Sequence, residues 1–268
     1  LIMTNARLTV LVVGATGSIG RLAVDEALRQ GHAVRALMRS AAKARQFPST
    51  VEFALGDVTQ AEALPSAVAG VDAIVFTLGS NGAGKAGAET VDYGGVRNVL
   101  PALGPLTPRI TLMTSIGVTN RTGSYNRSTE AHDCKRRSER IERASGRPYT
   151  IVRPGWFDYN KPSELQMLLR QGDTRQAGNS SDGVIARKQI AEVLVRSLTS
   201  PTALSKTFEL VATTGPAQTD FDALFAPLDP DQPGNLDGVR DIPNQPLDDE
   251  PEPVRQDLNS ILKAFQIH

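Results

Sequence analysis

The run VVGATGSIGRLAVDEAL at 12–28 limits what this chain can fold into more than any other stretch. It sets Gly14, Gly17 and Gly20 directly after an apolar stretch, LTVLVV at 8–13, and at the opening of an amphipathic one over 18–30. Apolar on both faces, 8–13 reads as a strand buried inside a sheet, and Gly31 reads as the stop of the following helix. This GxxGxxG between strand and helix is a variant of the dinucleotide fingerprint. Gly14 permits the tight turn, Gly17 lets the backbone approach a pyrophosphate, and Gly20 lets the helix pack against the sheet. The helix start adds unpaired N–H groups and a positive dipole end.

The same alternation continues. Strands are expected at 32–39, 51–57, 72–79, 109–116 and 149–156, and helices at 41–46, 60–69 and 88–103. A polar loop over 117–128 leads to a helix that Ser128 or Thr129 would cap. Six strand-then-helix units predict an α/β fold of the Rossmann type, a doubly wound parallel sheet covered on both sides. Beyond 155 the pattern loosens. A helix is expected near 163–170, an amphipathic helix at 187–198 and a strand at 206–212. A Pro- and Asp-rich wrapping tail at 226–256 ends in a short helix from 253. The organisation predicted is a dinucleotide-binding core over 1–155 and a smaller substrate-binding region with its tail over 156–268, packed as one continuous domain.

Composition narrows the class. The 268 residues carry 29 Lys+Arg and 29 Asp+Glu, so nothing favours a nucleic acid or an anionic membrane as partner. A single cysteine excludes an internal disulfide and suits a reducing cytoplasm. No apolar run approaches the length of a membrane span, and the opening LIMTNARLTV has no signal-peptide pattern. Met3 reads as the natural start. The sequons at Asn120, Asn126 and Asn179 read as chance matches.

The cofactor's identity rests on the second strand, which ends LMRS. Arg39 and Ser40 stand where an acid would bind a free 2′-hydroxyl, and an arginine there accommodates a 2′-phosphate. NADP(H) is therefore preferred, with NAD(H) as the alternative. The cofactor-binding set comprises Gly14, Ala15, Thr16, Gly17, Ser18, Ile19 and Gly20, then Arg39 and Ser40. Asp57, ending the third strand, is the expected adenine-side contact, and Val58, Leu78 and Gly79 complete the cofactor-binding set.

The stretch AHDCKRRSER at 131–140 invites a nucleophile reading that helical geometry rejects. His132, Asp133 and Cys134 point about 100° apart, whereas His132 and Lys135 share a face. Arg136, Arg137, Arg140 and Arg143 read as a solvated helix face.

With GATGSIG, VRALMRS, GDV, DYGGVRNVL, TLMTSIGV and GRPYTIVRPGWF in place, the chain resembles the NmrA-like atypical branch of the short-chain dehydrogenase/reductases over nearly its whole length. The resemblance implies a Rossmann core, NADP(H), and substrate bound over the strand ends by the second half. It also implies a catalytic Ser, matched by Ser115, and a YxxxK pair on the next helix. Lys135 matches the lysine, but Ala131 stands where the tyrosine belongs. His132 and Tyr125 are the candidates to replace it. After the sixth strand, Pro154 and Gly155 are expected at the nicotinamide, their backbone holding its carboxamide, with Trp156 and Phe157 as an aromatic wall for substrate.

The function expected is an NADPH-dependent reductase of a quinone or polycyclic aromatic carbonyl compound, as in the tailoring of aromatic polyketides by GC-rich bacteria. The alternative is a non-catalytic NADP(H)-binding redox sensor. The chain is expected to be cytoplasmic, a monomer or homodimer, and to bind no metal.

Overall fold

The computed structural model describes residues 6–267; Met3 lies outside them. The first six strands are β1 (Thr9–Val13), β2 (Ala33–Met38), β3 (Glu52–Leu55), β4 (Ala73–Phe76), β5 (Arg109–Met113) and β6 (Tyr149–Pro154). They form a parallel sheet in the order β3-β2-β1-β4-β5-β6. The order reverses between β1 and β4, which opens a crevice at the carboxyl ends of the strands, where dinucleotides bind in such sheets. Strand residues alternate between two cores. Val10 and Val12 join one with Ala23, Val24 and Leu194, and Leu11 and Val13 join the other with Ile74, Leu100 and Ile141.

Connecting helices cover both faces. They are α1 (Ser18–Arg29), α2 (Leu64–Val68), α3 (Gly84–Gly87), α4 (Gly94–Ala102), α5 (Ser124–Thr129) and α6 (Ala131–Ala144). Two differ from the sequence expectation. The helix expected over 88–103 begins earlier, at Gly84, and a π-helical turn over Ala88–Tyr93 interrupts it. The loop expected over 117–128 contains α5, which ends at Glu130 in the left-handed conformation (φ 52°). The cap of α6 is then supplied from further back. Asn126 Oδ1 accepts from the N–H groups of His132 (3.0 Å) and Asp133 (3.1 Å), and Thr129 Oγ1 takes that of Ala131 (3.2 Å). Ser128 takes no part in the cap; its hydroxyl donates to the Tyr125 carbonyl (3.0 Å). Asn126 is buried in this role, in keeping with a sequon that matches by chance.

The second half extends the sheet. Its elements are β7 (Trp156–Phe157), β8 (Gln166–Arg170), β9 (Val184–Ile185), α7 (Arg187–Ser197), β10 (Lys206–Thr213), α8 (Phe221–Phe225) and α9 (Glu252–Ile267). β10 lies parallel to β6, and β8 and β9 pair antiparallel with β10. The helix expected near 163–170 is thus strand β8. Its apolar residues fit either period, and the open edge of β10 decides in favour of a ladder. The helix expected from 253 is the 16-residue α9.

The tail wraps α6, and this overturns the solvated reading of its arginines. Arg136, Arg137, Arg140 and Arg143 are all buried. Arg140 binds Asp237 bidentately (2.8 and 2.9 Å), Arg136 shares that carboxylate (3.1 Å), Arg137 meets Glu250 (2.6 Å), and Arg143 meets Asp231 (3.0 Å). Each acid comes from the tail, so acidic composition at 226–256 and basic composition on α6 are two halves of one interface. Among the described residues, no helix is long and apolar enough to cross a membrane.

Candidate functional site

The glycine loop turns at Gly14 (φ +86°), where a side chain would strike Thr77 Oγ1 at 2.8 Å. Thr77, directly after β4, donates its hydroxyl to the carbonyls of Val13 (3.0 Å) and Gly14 (3.2 Å) and so clamps the loop to the crevice. A Cβ at Gly20 would sit 1.8 Å from the Gly14 carbonyl oxygen, so only glycine lets α1 approach this closely. Gly17 caps α1 with no side-chain bond, and no acid occupies the first turn. The N–H groups at Ser18 and Ile19 therefore remain for an anion, and Ala15 and Thr16 complete a cradle that fits a pyrophosphate.

Arg187, the first residue of α7, was not legible as a site residue. Its Nε donates to Ser18 Oγ (3.1 Å), its guanidinium pairs with Asp158 and stacks 5.2 Å above the Phe157 ring. A cation from the second half thereby stands at the phosphate cradle. The sequence shows Arg187 opening an amphipathic helix, but nothing local says that the helix N-terminus faces the loop at 14–20.

On the adenine side, Arg39 and Ser40 are exposed at the end of β2. Ser40 Oγ caps the following 3-10 turn through the Ala42 N–H (3.3 Å), whereas Arg39 makes no hydrogen bond or ion pair among the described residues. Asp57 Oδ1 accepts from the N–H (2.9 Å) and hydroxyl (2.8 Å) of Thr59, the helix-entry turn of an Asx residue. The backbone bond first, and then the hydroxyl bond and the Arg39 charge, hold its carboxyl below the usual range. Val58 and Leu78 converge on Gly95, where an added Cβ would lie 2.4 Å from Leu78 Cδ1, and Gly79 is exposed beside them.

At the other end of the crevice, Ser115 follows β5 and Lys135 lies on α6, both half-buried. Lys135 makes no ion pair or side-chain hydrogen bond among the described residues. Ala131, one turn earlier, is 2% exposed and packs into the core, so the tyrosine position is filled by a methyl group. His132 and Tyr125 do come together: their rings meet edge to face at 5.2 Å. His132 Nδ1 lies 3.2 Å from the Asn120 carbonyl, and burial lowers its pKa below the ordinary histidine value, so it is neutral at neutral pH. Burial, and then the charge of Asp92, raises the Tyr125 phenol. Cys134 is buried and its thiol is pushed up to about 12, which removes it as a nucleophile.

Two expectations beyond β6 change. The Pro154 carbonyl accepts from Ile116 N–H (3.2 Å) and the Gly155 N–H donates to the Leu210 carbonyl (2.9 Å), so the Gly155 N–H that could have held a carboxamide is taken by the sheet, whereas the carbonyls keep free lone pairs. Trp156 and Phe157, adjacent in a strand, point to opposite faces. Phe157 packs into the core under Arg187, while Trp156, 37% exposed, meets Tyr159 edge to face at 6.1 Å. The exposed aromatic pair is therefore Trp156 and Tyr159.

Residues 14–201 match the model of the NAD(P)H-binding family. The chain belongs to this family. Its relatives include the UPF0659 protein YMR090W of Saccharomyces cerevisiae, 30% identical over 75% of this chain and 92% of the yeast protein. The sanguinarine reductase of Eschscholzia californica is 26% identical over 83% of this chain and 97% of its own length. Among solved structures, a putative NAD-dependent epimerase/dehydratase from Bacillus halodurans superposes with a TM-score of 0.69 at 22% identity. That match covers 82% of this chain and all of the other. The NmrA-like resemblance and the Rossmann architecture agree with these matches, and the chain is an NAD(P)H-binding protein.

Proposed function

We propose that the chain is an NADPH-dependent reductase of quinones or polycyclic aromatic carbonyl compounds. The observation that carries this reading is the pairing of a half-buried Lys135 on α6, with no ion pair among the described residues, and a half-buried Ser115 after β5, with a methyl group at the tyrosine position. Bound NADPH supplies the hydride. Lys135 then holds the nicotinamide ribose, and Ser115 donates a hydrogen bond to the acceptor oxygen as negative charge develops there. A buried Ala131 deprives the site of the phenol that simple ketones require. Acceptors whose reduced form spreads its charge over a ring system depend less on that group.

Arg39, exposed and unpaired, supports the preference for a 2′-phosphate over a free 2′-hydroxyl. The second half, 156–268, is the substrate side of this reading, with Trp156 and Tyr159 as the flat apolar contact. That a relative over nearly the same length is named a reductase supports the reaction class. NADPH oxidation followed with a panel of naphthoquinones, anthraquinones and aromatic ketones tests it. Acceptor-dependent oxidation is expected. Tight NADPH binding with no turnover on the whole panel would favour the sensor instead.

A further inference from the structure

The β5 ladder runs out where the site begins. Thr114 N–H still donates to the Val152 carbonyl (2.9 Å) and Ile116 N–H to that of Pro154 (3.2 Å), with Ser115 between them. Beyond Ile116 the chain turns away from β6, and Gly117, Val118 and Thr119 are all buried. Buried N–H groups without a partner are costly, so those of Gly117 and Thr119 need an acceptor from outside the ladder. One side chain supplies it. Asp173, in the loop after β8 and 2% exposed, accepts from Gly117 N–H at Oδ1 (2.7 Å). Its Oδ2 accepts from the N–H (2.8 Å) and the hydroxyl (2.7 Å) of Thr119.

Asp173 is itself held in place. Its N–H donates to Glu209 Oε1 on β10 (2.8 Å), and Gln176 Nε2 donates to the Asp173 carbonyl (2.8 Å) and to Thr119 Oγ1 (2.7 Å). To reach the turn, Asp173 adopts a left-handed conformation (φ 50°), which a residue with a side chain takes at a cost. The turn meets the site at both ends. Ser115 precedes it, anchored upstream by the ladder and downstream by Asp173. Asn120 closes it through a bond from its N–H to the Gly117 carbonyl (2.8 Å), and its own carbonyl lies 3.2 Å from His132 Nδ1. The His132 ring rests against Gly117, where an added Cβ would meet it at 3.1 Å.

We propose that Asp173 is the positioning residue of this loop and sets Ser115 where its hydroxyl meets the acceptor oxygen, a role that rests on the reductase reading above. The carboxylate is engaged by the turn and acts through it, without touching a reacting atom. A hydrogen-bond donor aimed at developing charge is effective only when it is held in place beforehand. Asp173 comes from the 156–268 half, so on this reading the half that receives the acceptor also fixes the serine that serves it.

The experiment is a double-substitution cycle of Asp173→Asn and Ser115→Ala, read as NADPH oxidation with a naphthoquinone. Asp173→Asn keeps the shape but sets an amide NH₂ against one of the donors. It is expected to lower kcat about 10- to 100-fold and to change the quinone KM and the NADPH dissociation constant by less than about twofold. In the Ser115→Ala background the same substitution is expected to cost less than about twofold, because the group it positions is gone. A merely structural role would give additive losses. Thr119→Val, which keeps both backbone donors, is expected to show the same coupling at about three- to tenfold, and Thr119→Ser to recover the wild-type rate. That pair carries the test if Asp173→Asn does not fold. In proton NMR spectra the His132 ring resonances are expected to move in Asp173→Asn, while those of His32, bonded to Leu8 N–H at the far end of β1, stay fixed. Unchanged kcat in a single variant, additive losses, or an unmoved His132 overturns the positioning role while the reductase reading stands. A wild type that turns over no quinone overturns the reductase reading, and the positioning role falls with it.

Discussion

Arg187 Nε donates to Ser18 Oγ at 3.1 Å, joining the start of α7 to the start of α1 across 169 residues of sequence. The contact brings a guanidinium to the mouth of the phosphate cradle, where arginine binds oxyanions bidentately. Arg187→Ala is expected to weaken NADPH binding about tenfold, a cost of ~1.4 kcal/mol. Asp158→Asn, which releases the exposed pair that holds Arg187, is expected to leave affinity unchanged or slightly tighter. Calorimetric titration with NADPH measures both.

Arg39 gives a sharper prediction because it separates two cofactors. Arg39→Ala is expected to raise the NADPH dissociation constant about tenfold and to change that of NADH by less than about twofold. The same titrations with each cofactor read the difference. Equal effects would remove Arg39 from the 2′-phosphate site.

Much of this arrangement is legible in the sequence, and the exceptions share a cause. The parallel sheet, the glycine loop, the amphipathic α7 and the strand β10 follow from local period and turn chemistry, which short windows of residues carry. Arg187 and Tyr159 are not legible in this way because their surroundings depend on which distant element they face. β8 reads as a helix in sequence because its apolar spacing is ambiguous until β10 offers a free edge. The arginines of α6 read as solvated because their carboxylates lie about 90 to 115 residues later, in a tail whose composition resembles disorder.

Those buried charges make stability predictions. Arg153 is fully buried on β6 and binds Glu139 (2.7 Å) and Asp241 (2.7 Å) at once. Arg153→Met leaves Asp241 without its cation and Glu139 with Arg143 alone (3.5 Å), and a loss of ~3–5 kcal/mol is expected in urea denaturation. Asp237→Asn, at a half-exposed acid that two other arginines share, is expected to cost less.

Glu142 behaves in the opposite sense. It is fully buried on α6 with both oxygens unpartnered, and burial raises its carboxyl to about 8 against the charges of Arg147 and Arg143. The folded chain therefore holds a proton that the unfolded chain releases near 4.5. This contribution to stability is complete below the unfolded value and is lost as pH rises through the folded one. Glu142→Gln, which cannot ionise, is expected to be as stable as wild type at about pH 5. At about pH 9 it is expected to melt about 3–6 °C higher. Thermal melts across that range test the sign as well as the size.

The claim on which the rest depends is that this site passes hydride from NADPH to an aromatic acceptor. The direct measurement is oxidation of NADPH carrying deuterium at the transferable position of nicotinamide C4, with a naphthoquinone as acceptor. The account predicts acceptor-dependent turnover with a primary isotope effect, diminished by substitution of Lys135 or Ser115. NADPH that binds tightly and stays unoxidised with every quinone and aromatic ketone offered would contradict it.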